Sequence, residues 1–147
     1  MASSTGTTAL VVVGCSARKS PSERPMAALD LYQGWCLPHL RARLRGRGEL
    51  RQRTLILSAR HGLLKADNPI LPYDQPLTPD RAAALETEVR AGLADHLRAL
   101  PAAEALLLLE PVYLALLGYP PVPLVHIVTD PVRHWSAAEG VLDAWGW

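Results

Sequence analysis

The chain has only two cysteines, Cys15 and Cys36, with no CxxC pair and no cluster of histidines beside them. Such spacing argues against a disulfide framework and against a zinc site, and a reduced compartment suits both thiols. No apolar run approaches the roughly 20 residues that a membrane helix needs. The polar opening Met1–Thr8 is too short and uncharged for a secretory signal. A cytoplasmic protein with no membrane partner is therefore expected. Internal repeats and low-complexity linkers are missing, and charged residues make up only 20% of the chain against 49% hydrophobic. That composition is globular rather than disordered. Its 147 residues fit one domain, 1–147, with residues 1–8 expected to form a flexible N-terminus.

Net charge is only +1, yet it is unevenly spread. Residues 1–65 hold eleven Lys/Arg against three acids, and the remainder holds four against eleven. One reading has the first half facing an anion, either nucleotide phosphate or nucleic acid. The other takes an Arg-rich, Ala/Leu/Gly/Pro-rich composition as its source, and both stay open.

Leu10–Val13 is a β-branched apolar run ended by Gly14, the pattern of a strand buried on both faces. Residues 14–25 read as a loop, and Met26 to about Leu44 as helix broken by Gly34 and Pro38. Arg45–Arg53 reads as a basic connection. Thr54–Leu57 is a second strand, opening at Ser58 into a loop with four prolines through Pro79. Thr78-Pro79-Asp80 is a helix start, and Leu85, Val89, Leu93 and Leu97 mark the buried face of the helix that follows. Ala105–Leu109 and Leu124–Val128 are further strands with Val112–Leu117 helical between them, and Ser136–Trp145 is a last helix capped by Ser136. Strands separated by helices predict an α/β fold: a mostly parallel sheet of about four to five strands with helices on both faces.

Ligands of open parallel sheets bind beyond the carboxyl ends of the strands. That rule selects Gly14–Lys19, Ser58–Gly62, Glu110 and Thr129-Asp130, and the polar site is read as three loops, Cys15–Lys19, Ser58–Leu63 and Pro72–Asp74. Ser16, Arg18 and Lys19 are candidates for holding phosphate, although both bases could be solvated loop charges. Ser16 and Lys19 have SxxK spacing, but that signature needs a helix beneath it. Cys15 is either a nucleophile or a small buried hydrophobe. His61 is the best general acid/base by titration range, whereas His39, His96, His126 and His134 lack comparable settings. Glu110 is either a carboxylate at the active edge or a solvated residue opening a helix at Pro111. Arg41–Arg53 has little aromatic interleaving and supports a single-strand stacking platform weakly.

Ile56-Leu57-Ser58-Ala59-Arg60-His61-Gly62-Leu63-Leu64, followed by Ile70-Leu71-Pro72-Tyr73-Asp74, resembles the signature of the YaaA-like proteins. Ala27-Ala28-Leu29-Asp30-Leu31-Tyr32-Gln33-Gly34 resembles an earlier Ala, Tyr and Gly segment of that family. The opening Val13-Gly14-Cys15-Ser16-Ala17-Arg18-Lys19 is similar to the related domain of archaeosine synthases, and Tyr113 matches a later Tyr that follows a strand. The likeness covers roughly residues 9–117, with His61 standing where the family usually has Tyr. It implies an association with nucleic acids or modified bases. YaaA-like proteins are linked to DNA binding and peroxide stress, and archaeosine synthases attach an amine to a deazaguanine base in tRNA.

The leading expectation is an enzyme acting on a nucleobase, nucleoside or nucleotide, by N-glycosidic cleavage or substitution on the base. His61, Asp74, Glu110 and Cys15 are its candidate catalytic residues. Ser16, Arg18, Lys19, Tyr32, Ser58, Arg60, Gly62 and Tyr73 are its candidate substrate contacts, with Tyr73 stacking on the base and no cofactor or metal required. The rival is a noncatalytic protein that binds DNA or RNA through Arg41–Arg53. A third possibility is an interaction subunit whose site has lost activity.

Overall fold

Val11, Val12 and Val13 have no solvent exposure, as a β-branched run in a doubly covered strand requires. A computed structural model describes residues 8–147. Its elements in chain order are β1 (Ala9–Gly14), β2 (Met26–Ala27), α1 (Ala28–Leu31), α2 (Leu37–Arg43), α3 (Gly48–Arg51), β3 (Thr54–Ser58), β4 (Gly62–Lys65), β5 (Pro69–Ile70), α4 (Pro79–Ala99), β6 (Glu104–Leu108), α5 (Pro111–Leu117), β7 (Leu124–Ile127) and α6 (Trp135–Trp145). Five strands form one sheet in the order β4-β3-β1-β6-β7, while β2 and β5 pair separately. β3, β1, β6 and β7 are parallel, and β4 alone runs antiparallel. The single α/β domain with a mostly parallel sheet is thus as expected.

Alternation along the strands sends side chains to two separate cores. Val11 and Val13 pack with Leu29, Leu40 and Leu142 of α1, α2 and α6. Leu10 and Val12 pack with Leu85, Val89 and Leu93 of α4 and with Leu116 of α5. Each fully buried Leu or Val contributes about 1.5–3 kcal/mol by leaving water, so the central strand is the main anchor of the fold. Thr78 caps α4 as expected, its hydroxyl accepting from the Arg81 N–H at 3.1 Å.

Several local expectations need correction. Gly62–Lys65 is a strand rather than loop: Gly62, at φ +73°, pairs with Ser58 and turns the chain back along β3. Pro38 does not break a helix but sits in the first turn of α2, where its missing N–H costs nothing. The stretch read as helix from Met26 opens instead as the short strand β2, while Gly34 interrupts it as expected, in a turn where Trp35 takes φ 57°. The basic connection contains the short helix α3. Ser136 does not cap α6, which begins one residue earlier after His134 without a side-chain cap. Thr8 is tied to the sheet, its carbonyl accepting from the Ala103 and Glu104 N–H groups at 2.9 and 3.3 Å. The rest of the expected flexible N-terminus lies outside the described residues. Among the described residues, no helix is long and apolar enough to cross a membrane.

Candidate functional site

Each parallel strand delivers its following loop to the same edge of the sheet. After β1, Ser16 folds the chain back: its hydroxyl donates to the Arg18 carbonyl at 2.8 Å and accepts from the Gly34 N–H at 3.2 Å. Lys19 bridges to Tyr32, and the Gln33 N–H donates to the Arg18 carbonyl at 2.9 Å. The Cys15–Lys19 loop is therefore clamped to the segment that carries Tyr32 and Trp35. Trp35 covers the end of β1, and a Cβ on Gly14 would lie 3.2 Å from its ring. A bulky residue in the left-handed region is strained, and here it borders the candidate site.

Beneath these loops the tyrosines form a hydrogen-bonded floor. The Tyr73 hydroxyl is 2.6 Å from the Tyr32 hydroxyl and 2.6 Å from Ser58 Oγ. Ser58 Oγ also accepts the N–H groups of Arg60 and His61 at 3.1 and 3.0 Å, which shapes the turn into β4. Arg81 braces that turn from α4 by donating to the carbonyls of Ala59, at 2.8 Å, and Arg60. Lys19 Nζ lies 4.3 Å from the Tyr73 ring centroid and 5.7 Å from that of Tyr32, within cation–π range of both. The His61 ring meets Tyr73 edge-on with centroids 5.2 Å apart. On the β6 side, Cys15 Sγ and the Tyr113 hydroxyl share a hydrogen bond at 3.4 Å.

Burial sets the protonation of this cluster. It pushes the Tyr32 phenol up to about 12, against the partly opposing bond from Tyr73. Burial, then the neighbouring Cys15, raise Tyr73 and Tyr113 well above the ordinary phenol range. All three hydroxyls are neutral at physiological pH and serve as donors and acceptors, not as bases. His61 is shifted the other way, below its ordinary value, by burial and by the Arg60 and Arg81 guanidinium groups. Its neutral form, the one able to accept a proton, is favoured.

The candidates thus divide. Cys15, Lys19, Tyr32, Ser58, His61 and Tyr73 come together, with Ser16 and the Arg18 backbone organising the first loop. Tyr32 and Ser58 have no exposure and form the floor, so neither contacts a ligand in this arrangement. Lys19 lies against the Tyr73 ring that was expected to stack on a base, so that ring is not a bare platform. Gly62 is buried beneath the turn, where an added Cβ would lie 3.2 Å from Glu88 Oε1, and it shapes the backbone. Arg60, Asp74 and Glu110 are exposed, with Glu110 directly ahead of α5 and close enough to Tyr113 to raise its phenol further. His126 is half-buried on β7, its Nε2 2.8 Å from Glu104 Oε1. Sequence reasoning missed Trp35 and Arg81 as parts of the site and used Tyr113 only in the family likeness. A Tyr two residues past the first Pro of α5 was the available signal for Tyr113; Trp35 and Arg81 left none.

The Arg41–Arg53 stretch has a different use. Arg41 donates to the Leu29 and Tyr32 carbonyls at 3.0 Å each. Arg43 reaches Glu139, Asp143 and the Trp147 carbonyl, and Arg47 the Gly146 carbonyl. Arg51 pairs with Asp67 at 2.7 Å and Asp30 at 3.6 Å, while Arg53 donates to the Pro101 carbonyl at 3.4 Å. Among the described residues only Arg45 of this run makes no such contact, so the run mainly staples loops and helix ends.

A family whose description reads "Family of unknown function (DUF6884)" matches residues 10–134. The chain belongs to this family, and the match takes in every loop of the cluster. No curated protein matches the chain.

Proposed function

We propose that this family member is an enzyme acting on a nucleobase, nucleoside or nucleotide, by N-glycosidic cleavage or by substitution on the base. One observation carries the reading: a lysine lies over a buried floor of tyrosine and serine hydroxyls at the carboxyl edge of a parallel sheet, with a neutral-favoured histidine on the rim. Fold stability alone does not call for so many polar groups at one strand end, since each must find a partner to avoid a desolvation cost of about 1–3 kcal/mol. Lys19 is suited to a phosphate or to the polar edge of a base, and Arg18 in the same loop adds a second cation. His61 is suited to accept the proton of the attacking water or amine. In the glycosidic case the attacking oxygen bonds to the sugar carbon, the C–N bond breaks, and its electron pair leaves with the base, which takes up a proton. Glu110 or Asp74 would face the developing positive sugar. The likeness to YaaA-like proteins and archaeosine synthases points to the same substrate class.

The test is a thermal-shift and turnover screen of nucleosides, nucleotides and short oligonucleotides, followed by His61→Gln on whichever compound binds. General acid/base catalysis predicts a loss of turnover of roughly 10²-fold with affinity and melting temperature kept. Unchanged turnover would remove His61 from the mechanism. The nucleic-acid-binding alternative rests on Arg41–Arg53 and ranks second because most of those arginines already hold this chain's own groups. Oligonucleotide binding with a steep salt dependence, and no mononucleotide binding or turnover, would reverse that order.

A further inference from the structure

A cavity of about 580 Å³ opens toward the other end of the sheet, between the start of β3, the edge strand β4 and the second half of α4. Leu55, Leu63, Gly92 and Leu100 give it apolar walls, and Lys65, Asn68 and His96 contribute polar groups. Its size suits a small organic molecule. His96 lines it while only 8% exposed, and among the described residues its ring makes no hydrogen bond. Among the described residues Arg43 Nε is the side-chain nitrogen or oxygen left buried without a partner, so the His96 ring nitrogens open into the cavity, where a ligand or water can bond to them.

The surrounding charges indicate the sign of that partner. On the lining, Asp67 is taken by Arg51 at 2.7 Å and Asp95 by Arg98 of its own helix, so both carboxylates are already matched. Lys65 makes no ion pair among the described residues, and Arg53 has only the Pro101 carbonyl. Burial first, and then both of these cations, hold the His96 ring below its ordinary titration range.

We infer that this cavity binds a small organic anion, an apolar or aromatic body carrying one phosphate or carboxylate group, with the anion between His96 and Lys65. It is separate from the carboxyl-edge cluster and does not depend on the reaction proposed there. An anion in this place offsets the two cations and lets His96 accept a proton, so affinity rises as pH falls.

The full chain is titrated with phenyl phosphate, benzoate and phenol while the histidine ring signals are followed by NMR and affinity by calorimetry. Phenyl phosphate or benzoate should move the His96 signals and bind at least ~10-fold more tightly than phenol. Lys65→Gln and Gly92→Met, the second filling the cavity from a helical position, should each weaken binding by about 10-fold or more with folding checked by circular dichroism. Benzoate keeps its charge between about pH 8 and about pH 5.5, and its affinity should increase over that range with net proton uptake. Equal binding of phenol, binding indifferent to both substitutions, affinity that does not rise with acid, signals moving at His61 instead of His96, or no binding by either anion would each overturn the inference.

Discussion

The two ends of the sheet solve opposite packing problems. At the carboxyl edge, Tyr32, Ser58 and Tyr73 close the space with hydroxyls that satisfy one another, and Lys19 and His61 lie over them. At the amino edge apolar side chains share the walls with charged and polar ones, the space is open, and the His96 ring has no partner among the described residues. The hydrogen-bonded polar cluster and the cavity beside His96 therefore sit at different ends of the sheet. A parallel sheet explains part of this, because every strand points its loop toward the carboxyl edge while the amino edge receives only helix ends and short returns. The antiparallel β4 is the exception, bringing Lys65 back to the amino end.

If the carboxyl edge is a closed network, removing mass from it should be the most damaging change. Tyr32→Ala should cost about 3–5 kcal/mol in a denaturant titration, since the ring is wholly buried and its hydroxyl partner would be orphaned. Tyr73→Phe keeps the ring but leaves Ser58 and Tyr32 short of a partner, a loss of about 1–3 kcal/mol. A double-mutant cycle with Tyr32→Phe should show coupling. Strict additivity would mean that the two hydroxyls are independent and the network is not a unit.

A smaller effect appears in alkali. The Tyr32 phenol is raised in the folded state to about 12 from an ordinary 10.0, so its stabilising contribution is complete below pH 10 and is lost as pH rises through 12. Stability should fall by about 1 kcal/mol by roughly pH 11 from this residue, with a shallower fall in Tyr32→Phe. The amino edge should respond to acid instead. His96 is lowered in the folded state, so its contribution is present above the unfolded value of 6.5 and declines as pH falls through the folded one. A melting temperature equally acid-sensitive in wild type and His96→Gln would break the contrast.

The smallest expected change is a gain. Gly92 lies within α4, and an added Cβ would meet only Leu63, at 3.8 and 3.9 Å. Gly92→Ala should therefore stabilise the protein by roughly 0.5–1 kcal/mol through helix propensity, read as a higher denaturant midpoint. Destabilisation would show that the amino-edge space is smaller than described.

The elements with strong local signals were legible in the chain alone. Val11–Val13 announced the central strand, the four-residue spacing from Leu85 to Leu93 the face of α4, and Thr78-Pro79 its start. Cys15–Lys19 and Ser58 were legible as neighbours because the ends of adjacent parallel strands share an edge by topology, whereas Tyr73 follows no strand of that sheet and was linked to them by the family resemblance. What the sequence by itself determined is thus periodicity, breakers and the order of strands and helices, since these depend on neighbours within a few residues. Only the tertiary structure decided the rest. It turned the Gly62–Lys65 segment into a strand by pairing it with β3, took up most of the Arg41–Arg53 run in contacts with carbonyls and carboxylates remote in the chain, buried Tyr32 instead of exposing it, and opened the cavity at His96. Each of those outcomes depends on groups meeting in three dimensions, as Leu55 meets Lys65 between β3 and β4 and Arg43 meets the Trp147 carbonyl 104 residues away, and no local pattern encodes such meetings.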